Sequence, residues 1–336
     1  MAKYLTMGVE TSCDETSVAI VEDGTKVLSN IISSQIETHQ PFGGVVPEIA
    51  SRKHLESITP VVQKALDDAG VGFQDINIIA VTYGPGLVGA LLVGVSVAKA
   101  MAYALDIPLI GVNHLEGHVY ASFLEHKFDF PVLCLVVSGG HTSLLHLKGH
   151  GDKELLGQTR DDAAGEAFDK IARYLGLGYP GGPAIEKEAQ KGNPQAIEFP
   201  RAWLEKDSLD FSFSGLKSAV INYVHNAKQK GQEVNRADVA ASFQQAVVDV
   251  LVEKTAVAAR KVGTDTVILA GGVAANSSLR EQLTARLKEE GKTVFFPSPV
   301  YCTDNAAMIA CAGYFRYKRG EVSDLYLNAV PGLPFC

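Results

Sequence analysis

Cysteine is scarce in this sequence and follows no pattern. The five cysteines in 336 residues (Cys13, Cys134, Cys302, Cys311 and Cys336) are odd in number, scattered and never spaced as CxxC. That argues against a disulfide framework and for a reducing, cytoplasmic setting. No apolar run reaches the roughly 20 residues a membrane helix requires, so no membrane span is expected. The stretch from Met1 to Gly8 reads as a short strand with no signal-peptide core. An excess of positive charge is also missing: 30 Lys and Arg against 38 Asp and Glu give a net charge of −8. Nucleic-acid-binding domains are usually basic, so an RNA role would have to come from specific motifs or from a basic partner. Three short basic patches, Arg52-Lys53-His54, Arg260-Lys261 and Arg316-Tyr317-Lys318-Arg319, read as solvated faces. No Ser-His-Asp or Cys-His nucleophile arrangement is evident, and an acyl-enzyme is not required.

What is present is a chain long enough for one large or two medium domains. Its content of 46% hydrophobic and 20% charged residues is ordinary for a globular protein. The segment Asn113-His114-Leu115-Glu116-Gly117-His118 stands out. Two histidines four apart on a helix share a face and can close on one metal ion. The pattern resembles the zinc-protease HExxH but departs from it, since Leu115 follows the first histidine and the carboxylate comes at Glu116. A Glu there is angled differently around the helix, which argues against a protease. Two polar residues on an amphipathic helix is the alternative.

Two kinds of unit recur along the chain. Leu5, Met7 and Val9 lead into the polar bend Glu10-Thr-Ser-Cys-Asp-Glu-Thr-Ser17, and Val18 to Val21 returns as a hairpin. Val132 to Val137, the turn Ser138-Gly-Gly-His-Thr-Ser143 and Leu144 to Leu147 repeat that plan. A buried-strand pattern at 76–82 is followed by Gly84-Pro-Gly-Leu-Val-Gly89 and an Ala/Val-rich helix to about Leu105. Its counterpart is Thr266 to Ala270, Gly271-Gly-Val-Ala-Ala-Asn276 and a helix from Ser277 to Glu290. Strands alternating with helices predict an α/β fold, and the repeated order predicts an internal duplication. The second pair of units is spaced more widely than the hairpins, which requires an insertion around 150–235. Two hairpin-led lobes of this kind describe the actin, Hsp70 and sugar-kinase type of fold. The expected division is a first lobe over 1–130, with 310–336 packing on it, and a second lobe over 131–309. The helix after Gly89 is apolar around much of its circumference and is either deep core or a partner face.

Taken as an ordered set, several segments resemble the tRNA threonylcarbamoyltransferase (TsaD) family. They are Gly8-Val-Glu-Thr-Ser-Cys-Asp-Glu-Thr16, His114-Leu-Glu-Gly-His118, Val137-Ser-Gly-Gly-His-Thr142, Gly165-Glu-Ala-Phe-Asp-Lys170, Phe211-Ser-Phe-Ser-Gly-Leu-Lys217, Gly271-Gly-Val-Ala-Ala-Asn276 and Thr303-Asp-Asn-Ala-Ala307. The resemblance runs from residue 8 to about 308. It implies an actin-like fold and transfer of threonylcarbamoyl from threonylcarbamoyl-adenylate to the adenosine just 3′ of the anticodon in tRNAs reading codons that begin with A. AMP leaves. The family was once labelled a sialoglycoprotein endopeptidase, a label the near-miss HxxxH accounts for.

By that resemblance His114, His118 and Asp304 are metal ligands and the ion is Fe2+. From chemistry alone two imidazoles and a carboxylate suit Fe(II) or Zn(II), and Asp304 has an alternative as N-cap of the next helix. Val137, Ser138, Gly139, Gly140 and His141 match the family's substrate loop, and Asp169, Gly182, Glu186 and Asn276 match positions around ribose and adenine. Among the first-hairpin acids Glu10, Asp14 and Glu15, the catalytic assignment goes to Asp14 and Glu15, with capping or solvation as alternatives. Lys217 touches donor or tRNA phosphate, or is a solvated helix lysine. The partners implied are tRNA, a paralogous fold-mate (TsaB) and a small ATPase (TsaE). The acidic balance predicts that the isolated chain binds tRNA weakly. A small-molecule kinase and a non-catalytic ATP-binding module of the same fold are the competing readings, and neither uses a two-histidine site.

Overall fold

A computed structural model describes residues 3–205 and 207–335; Cys336 lies outside them, and none of the four described cysteines is in a disulfide. The chain forms two units, one of residues 1–127 and 297–336 and the other of residues 128–296.

The first unit opens with β1 (Leu5–Glu10), β2 (Glu15–Glu22) and β3 (Lys26–Ser34), a short helix α1 (Ile36–His39) and the long α2 (Pro47–Ala69). β4 (Ile78–Gly84), α3 (Val88–Leu105), β5 (Leu109–Asn113) and α4 (His114–Ala121) follow. The strand order is β3-β2-β1-β4-β5. β1 pairs antiparallel with β2 and parallel with β4. Met7, Val9, Ile79 and Val81 are fully buried, because a strand in mid-sheet with layers on both faces loses the alternation of an exposed one.

The second unit repeats this plan with β6 (Val132–Val137), β7 (Thr142–Gly149) and β8 (Asp152–Gln158). Its strand order, β10-β9-β6-β7-β8, has the same sequence of antiparallel and parallel pairings. Between β8 and β9 (Thr266–Ala270) lie four helices, α5 (Ala164–Leu175), α6 (Gly181–Ala189), α7 (Ser214–Gln229) and the long α8 (Arg236–Val262); α9 (Ser277–Lys288) and β10 (Thr293–Phe295) follow. α8 takes the place of α2, so the added elements are α5 to α7. The third strand of each sheet escaped the sequence reading. β8 falls at the start of the span assigned to the insertion because its exposed, charged residues hide its periodicity.

The chain then returns to the first unit at Pro297, earlier than the expected 310, through α10 (Pro299–Cys302) and α11 (Ala306–Lys318). Gly8 makes this return possible. A Cβ there would lie 2.2 Å from the Ala306 carbonyl oxygen and 2.7 Å from the Ala310 nitrogen, so only glycine lets α11 lie directly on β1. Asp304, expected in the second lobe, therefore belongs to the first. The apolar helix α3 is long and apolar enough to cross a membrane by length and composition alone. It buries Ala90, Leu91, Val93, Val95, Ala98 and Ala102 against the first unit, while Val88, Leu92 and Tyr103 stay exposed.

Candidate functional site

Helix α4 starts where it does because Asn113 caps it. Its side-chain oxygen accepts from the Leu115 N–H at 2.9 Å, and its amide donates to the Pro334 carbonyl at 3.1 Å. One turn separates His114 from His118, whose ring centroids lie 4.7 Å apart. Asp304 comes from the α10–α11 connection. The cap of α11 is Asn305, which accepts from the Met308 N–H at 3.1 Å, so the capping alternative for Asp304 falls away. Asp304 Oδ1 stands 3.4 Å from His114 Nε2 and 3.3 Å from His118 Nε2.

These three donors fit a metal. Ligands about 2.1 Å from a tetrahedral ion lie roughly 3.4 Å from one another, and the candidate ligand atoms all lie within 4.8 Å. Two imidazole nitrogens and one carboxylate oxygen leave coordination positions open. The protonation states are set by mutual pairing. Burial resists a charge on His114, yet Asp304 and Glu10 hold its pKa well above the ordinary value. Burial alone would raise Asp304; the two histidines instead hold it far below the usual carboxylate range. His118 is pushed down, chiefly by burial. A metal therefore competes with a proton at His114.

Glu116, the carboxylate that brings a protease to mind, faces elsewhere. It is buried against Arg316 at 2.7 Å and Arg319 at 3.8 Å, so part of one basic patch is an internal ion-pair partner. In the first bend, Glu10 is fully buried. Its Oε1 accepts from the Ser12 N–H at 2.5 Å, and its Oε2 lies 2.6 Å from the Thr82 hydroxyl and 3.0 Å from His114 Nδ1. Asp14 is buried. Glu15 accepts from the Ser34 hydroxyl at 3.0 Å; burial, then the charges of Asp304 and Asp14, push its pKa up to about 10. The attachments of Glu10 were missed, since Thr82 and His114 are far away in sequence and carry no local signal.

In the second unit the turn after β6 closes on itself. The Ser138 N–H donates to the His141 carbonyl at 2.8 Å, and the His141 N–H donates to the Ser138 hydroxyl at 3.2 Å. Two glycines press backbone against this turn. A Cβ on Gly165 would lie 2.5 Å from the Ser138 carbonyl oxygen, and one on Gly271 (φ +92°) would lie 2.4 Å from that of Val137. Gly139 and Gly140 are exposed, with open space where a side chain would stand, as is the space at Gly182. Asp169 Oδ1 accepts from the Gly181 N–H at 2.7 Å, at the start of α6. Glu186 Oε1 accepts from the Ser277 N–H at 2.8 Å. Asn276 caps α9, accepting from the Leu279 N–H at 3.0 Å, and donates to Gln244 at 2.8 Å. Lys217 is neither solvated nor free: Asp162 holds its Nζ at 2.6 Å. The candidate residues thus form two groups, the His-His-Asp cluster with the first-bend acids in one unit, and the turn with the starts of α6 and α9 in the other.

The model of the TsaD family, tRNA N6-adenosine threonylcarbamoyltransferase, matches residues 26–311. The tRNA N6-adenosine threonylcarbamoyltransferase of Moorella thermoacetica is 63% identical over 329 residues, covering 98% of this chain and 96% of that protein. Those of Desulfitobacterium hafniense and Clostridioides difficile are 61% and 59% identical, over 97% and 99% of this chain and 96% and 99% of theirs. Among solved structures, full-length HypF in its phosphate- and nucleotide-bound form superposes with a TM-score of 0.61 at 17% identity. The match covers 96% of this chain and 47% of HypF, so this chain spans about half of that protein. Component A of (R)-2-hydroxyglutaryl-CoA dehydratase from Acidaminococcus fermentans gives 0.54 at 16% identity, over 95% of this chain and 99% of that one. At these identities the likeness is one of fold.

Proposed function

This chain belongs to the tRNA N6-adenosine threonylcarbamoyltransferase family, and from that premise we propose the reaction it carries out and the residues that carry it. The donor is threonylcarbamoyl-adenylate. The acceptor is N6 of the adenosine just 3′ of the anticodon in tRNAs reading codons that begin with A. N6 attacks the carbamoyl carbonyl carbon, the bond from that carbon to the phosphate oxygen breaks, AMP departs, and the amine gives up one proton. The lone pair of N6 is delocalised into the ring, so the acyl group is what needs activating. The observation that carries this reading is the His114–His118–Asp304 cluster in a chain matched along its length by transferases. Neither the kinase nor the ATP-binding-module reading gains support from the relatives.

His114, His118 and Asp304 would hold one divalent ion, Fe2+ by the family resemblance, with Zn2+ as a chemically suitable substitute. Such an ion supplies Lewis acidity toward the acyl donor and offsets leaving-group charge. The Val137 to His141 loop takes the donor's phosphate and acyl oxygens through the Gly139 and Gly140 N–H groups, since those of Ser138 and His141 are engaged within the turn, and the open space at the two glycines lets the donor approach. Asp169, Gly182, Glu186 and Asn276 hold its ribose and adenine. Glu15 and Asp14, in the bend beside the metal ligands, are the acids assigned to catalysis; burial, Asp304 and Asp14 raise the Glu15 pKa in the metal-free chain. This work takes place in the cytoplasm with a TsaB-type fold-mate and a TsaE-type ATPase. The exposed apolar residues of α2 and α3, Leu55, Val88, Leu92 and Tyr103, form the face on which the fold-mate docks.

Incubation of the chain and its partners with threonylcarbamoyl-adenylate and unmodified tRNA, followed by mass analysis of the digested nucleosides, tests the reaction. Threonylcarbamoyladenosine should appear only when the donor is present. Its absence with every partner and the metal supplied would overturn the proposal.

A further inference from the structure

Glu10 has no part in the reaction described above, yet it is held from three sides in the first unit. It is completely buried, and a buried carboxylate persists only where its oxygens are satisfied. The Ser12 N–H holds Oε1 at 2.5 Å and the Thr82 hydroxyl holds Oε2 at 2.6 Å. Thr82 is itself buried within β4 and Ser12 is buried in the bend that follows β1, so one anchor belongs to the sheet and the other to the bend. With its orientation fixed from two sides, Oε2 meets His114 Nδ1 at 3.0 Å, with the Ser12 hydroxyl also 3.1 Å from that nitrogen. The opposite ring nitrogen, Nε2, is the one facing Asp304.

We propose that Glu10 is a positioning residue that sets the tautomer and ring orientation of His114 for metal binding. This rests on the metal reading above. A neutral imidazole carries one proton, and a metal requires the lone pair. A carboxylate at Nδ1 accepts only, so it places the proton there and leaves the Nε2 lone pair toward Asp304. Carboxylate partners of this kind raise ligand affinity and fix ring orientation. Glu10 also contributes a second buried negative charge to balance a divalent ion. The two histidines are unequal in this respect: His118 Nδ1 is buried with no hydrogen-bond partner among the described residues. His114 is the anchored ligand and His118 the unsupported one.

A glutamine at position 10 keeps the shape but has one acceptor and one donor end. If its oxygen keeps the Ser12 N–H, its NH2 faces His114 Nδ1 and favours the tautomer that blocks Nε2. Turned the other way, its NH2 opposes the Ser12 N–H. The test is Co2+ affinity of metal-stripped protein, measured by competition with a chromophoric chelator and by the Co2+ visible spectrum, at a temperature where circular dichroism shows every variant folded. Glu10→Gln should bind roughly 10–100-fold more weakly, with an altered Co2+ spectrum. Thr82→Val keeps the charge but frees one side of the carboxylate, and should weaken binding by a smaller factor. If Glu10→Gln fails to fold, Thr82→Val decides alone. Affinity within twofold of wild type in the folded variants overturns the positioning role. Failure of wild type to bind Co2+, Fe2+ or Zn2+ would instead overturn the metal reading beneath it.

Discussion

Glu15 is the residue whose acid–base chemistry the fold changes most usefully. Its carboxyl sits near the ordinary value of 4.5 in the unfolded chain and is pushed up to about 10 in the fold, by burial first and then by Asp304 and Asp14. Between those values the folded chain holds a proton that the unfolded chain lacks. Stability of the metal-free protein therefore falls as pH rises through that window, and the Glu15 contribution levels off above it. Glu15→Gln removes the titration. In chelator, its melting temperature should fall less than that of wild type between pH 5 and pH 9; parallel curves would show that Glu15 is ionised in the fold. At this scale the two histidines were legible because they are neighbours on one helix. Asp304 was assigned only through the family resemblance, since nothing local links residue 304 to 114. Thr82 and Ser12 around Glu10, and the Arg316 hold on Glu116, were not legible, because each joins strands and helices remote in sequence.

The elements around the cluster depend on the contact of β1 with α11. Gly8→Val would force a side chain into the backbone of Ala306 and Ala310, where neither atom has a rotamer to yield. Overpacking of this kind costs about 1–3 kcal/mol or more. It should also displace Asp304, which lies two residues before α11. Gly8→Val is expected to lower the melting temperature and the metal affinity together, checked by calorimetry and chelator competition. Unchanged metal affinity would mean that Asp304 is positioned independently of α11. The hairpins and strand–glycine–helix units could be read from the sequence because their apolar runs are short and bounded by turn residues. β3 and β8 could not, as these strands are half-exposed and carry polar or charged residues on both faces. The return of the chain at Pro297 was also invisible, for it is fixed by a glycine on β1 and not by any boundary signal near 297.

At the scale of the whole molecule, the two sheets share one strand order, so the duplication inferred from repeated motifs is present in the pairing itself. The first unit carries an uncovered apolar row on α3. Leu92→Asp together with Tyr103→Asp should abolish co-elution with a TsaB-type partner on size exclusion while leaving the isolated chain folded and metal-binding; retained co-elution would place the partner on another face. With a net charge of −8, the isolated chain offers little general attraction to tRNA phosphates, which is what the proposed dependence on partners requires.

The central claim is that a metal held by His114, His118 and Asp304 serves the transfer. It is tested most directly by running His114→Ala and Asp304→Ala beside wild type in the tRNA transfer assay, with bound metal measured in each preparation. The account predicts about one bound ion and modified adenosine for wild type, and loss of both in each variant. Full transfer by variants that hold no metal would contradict it.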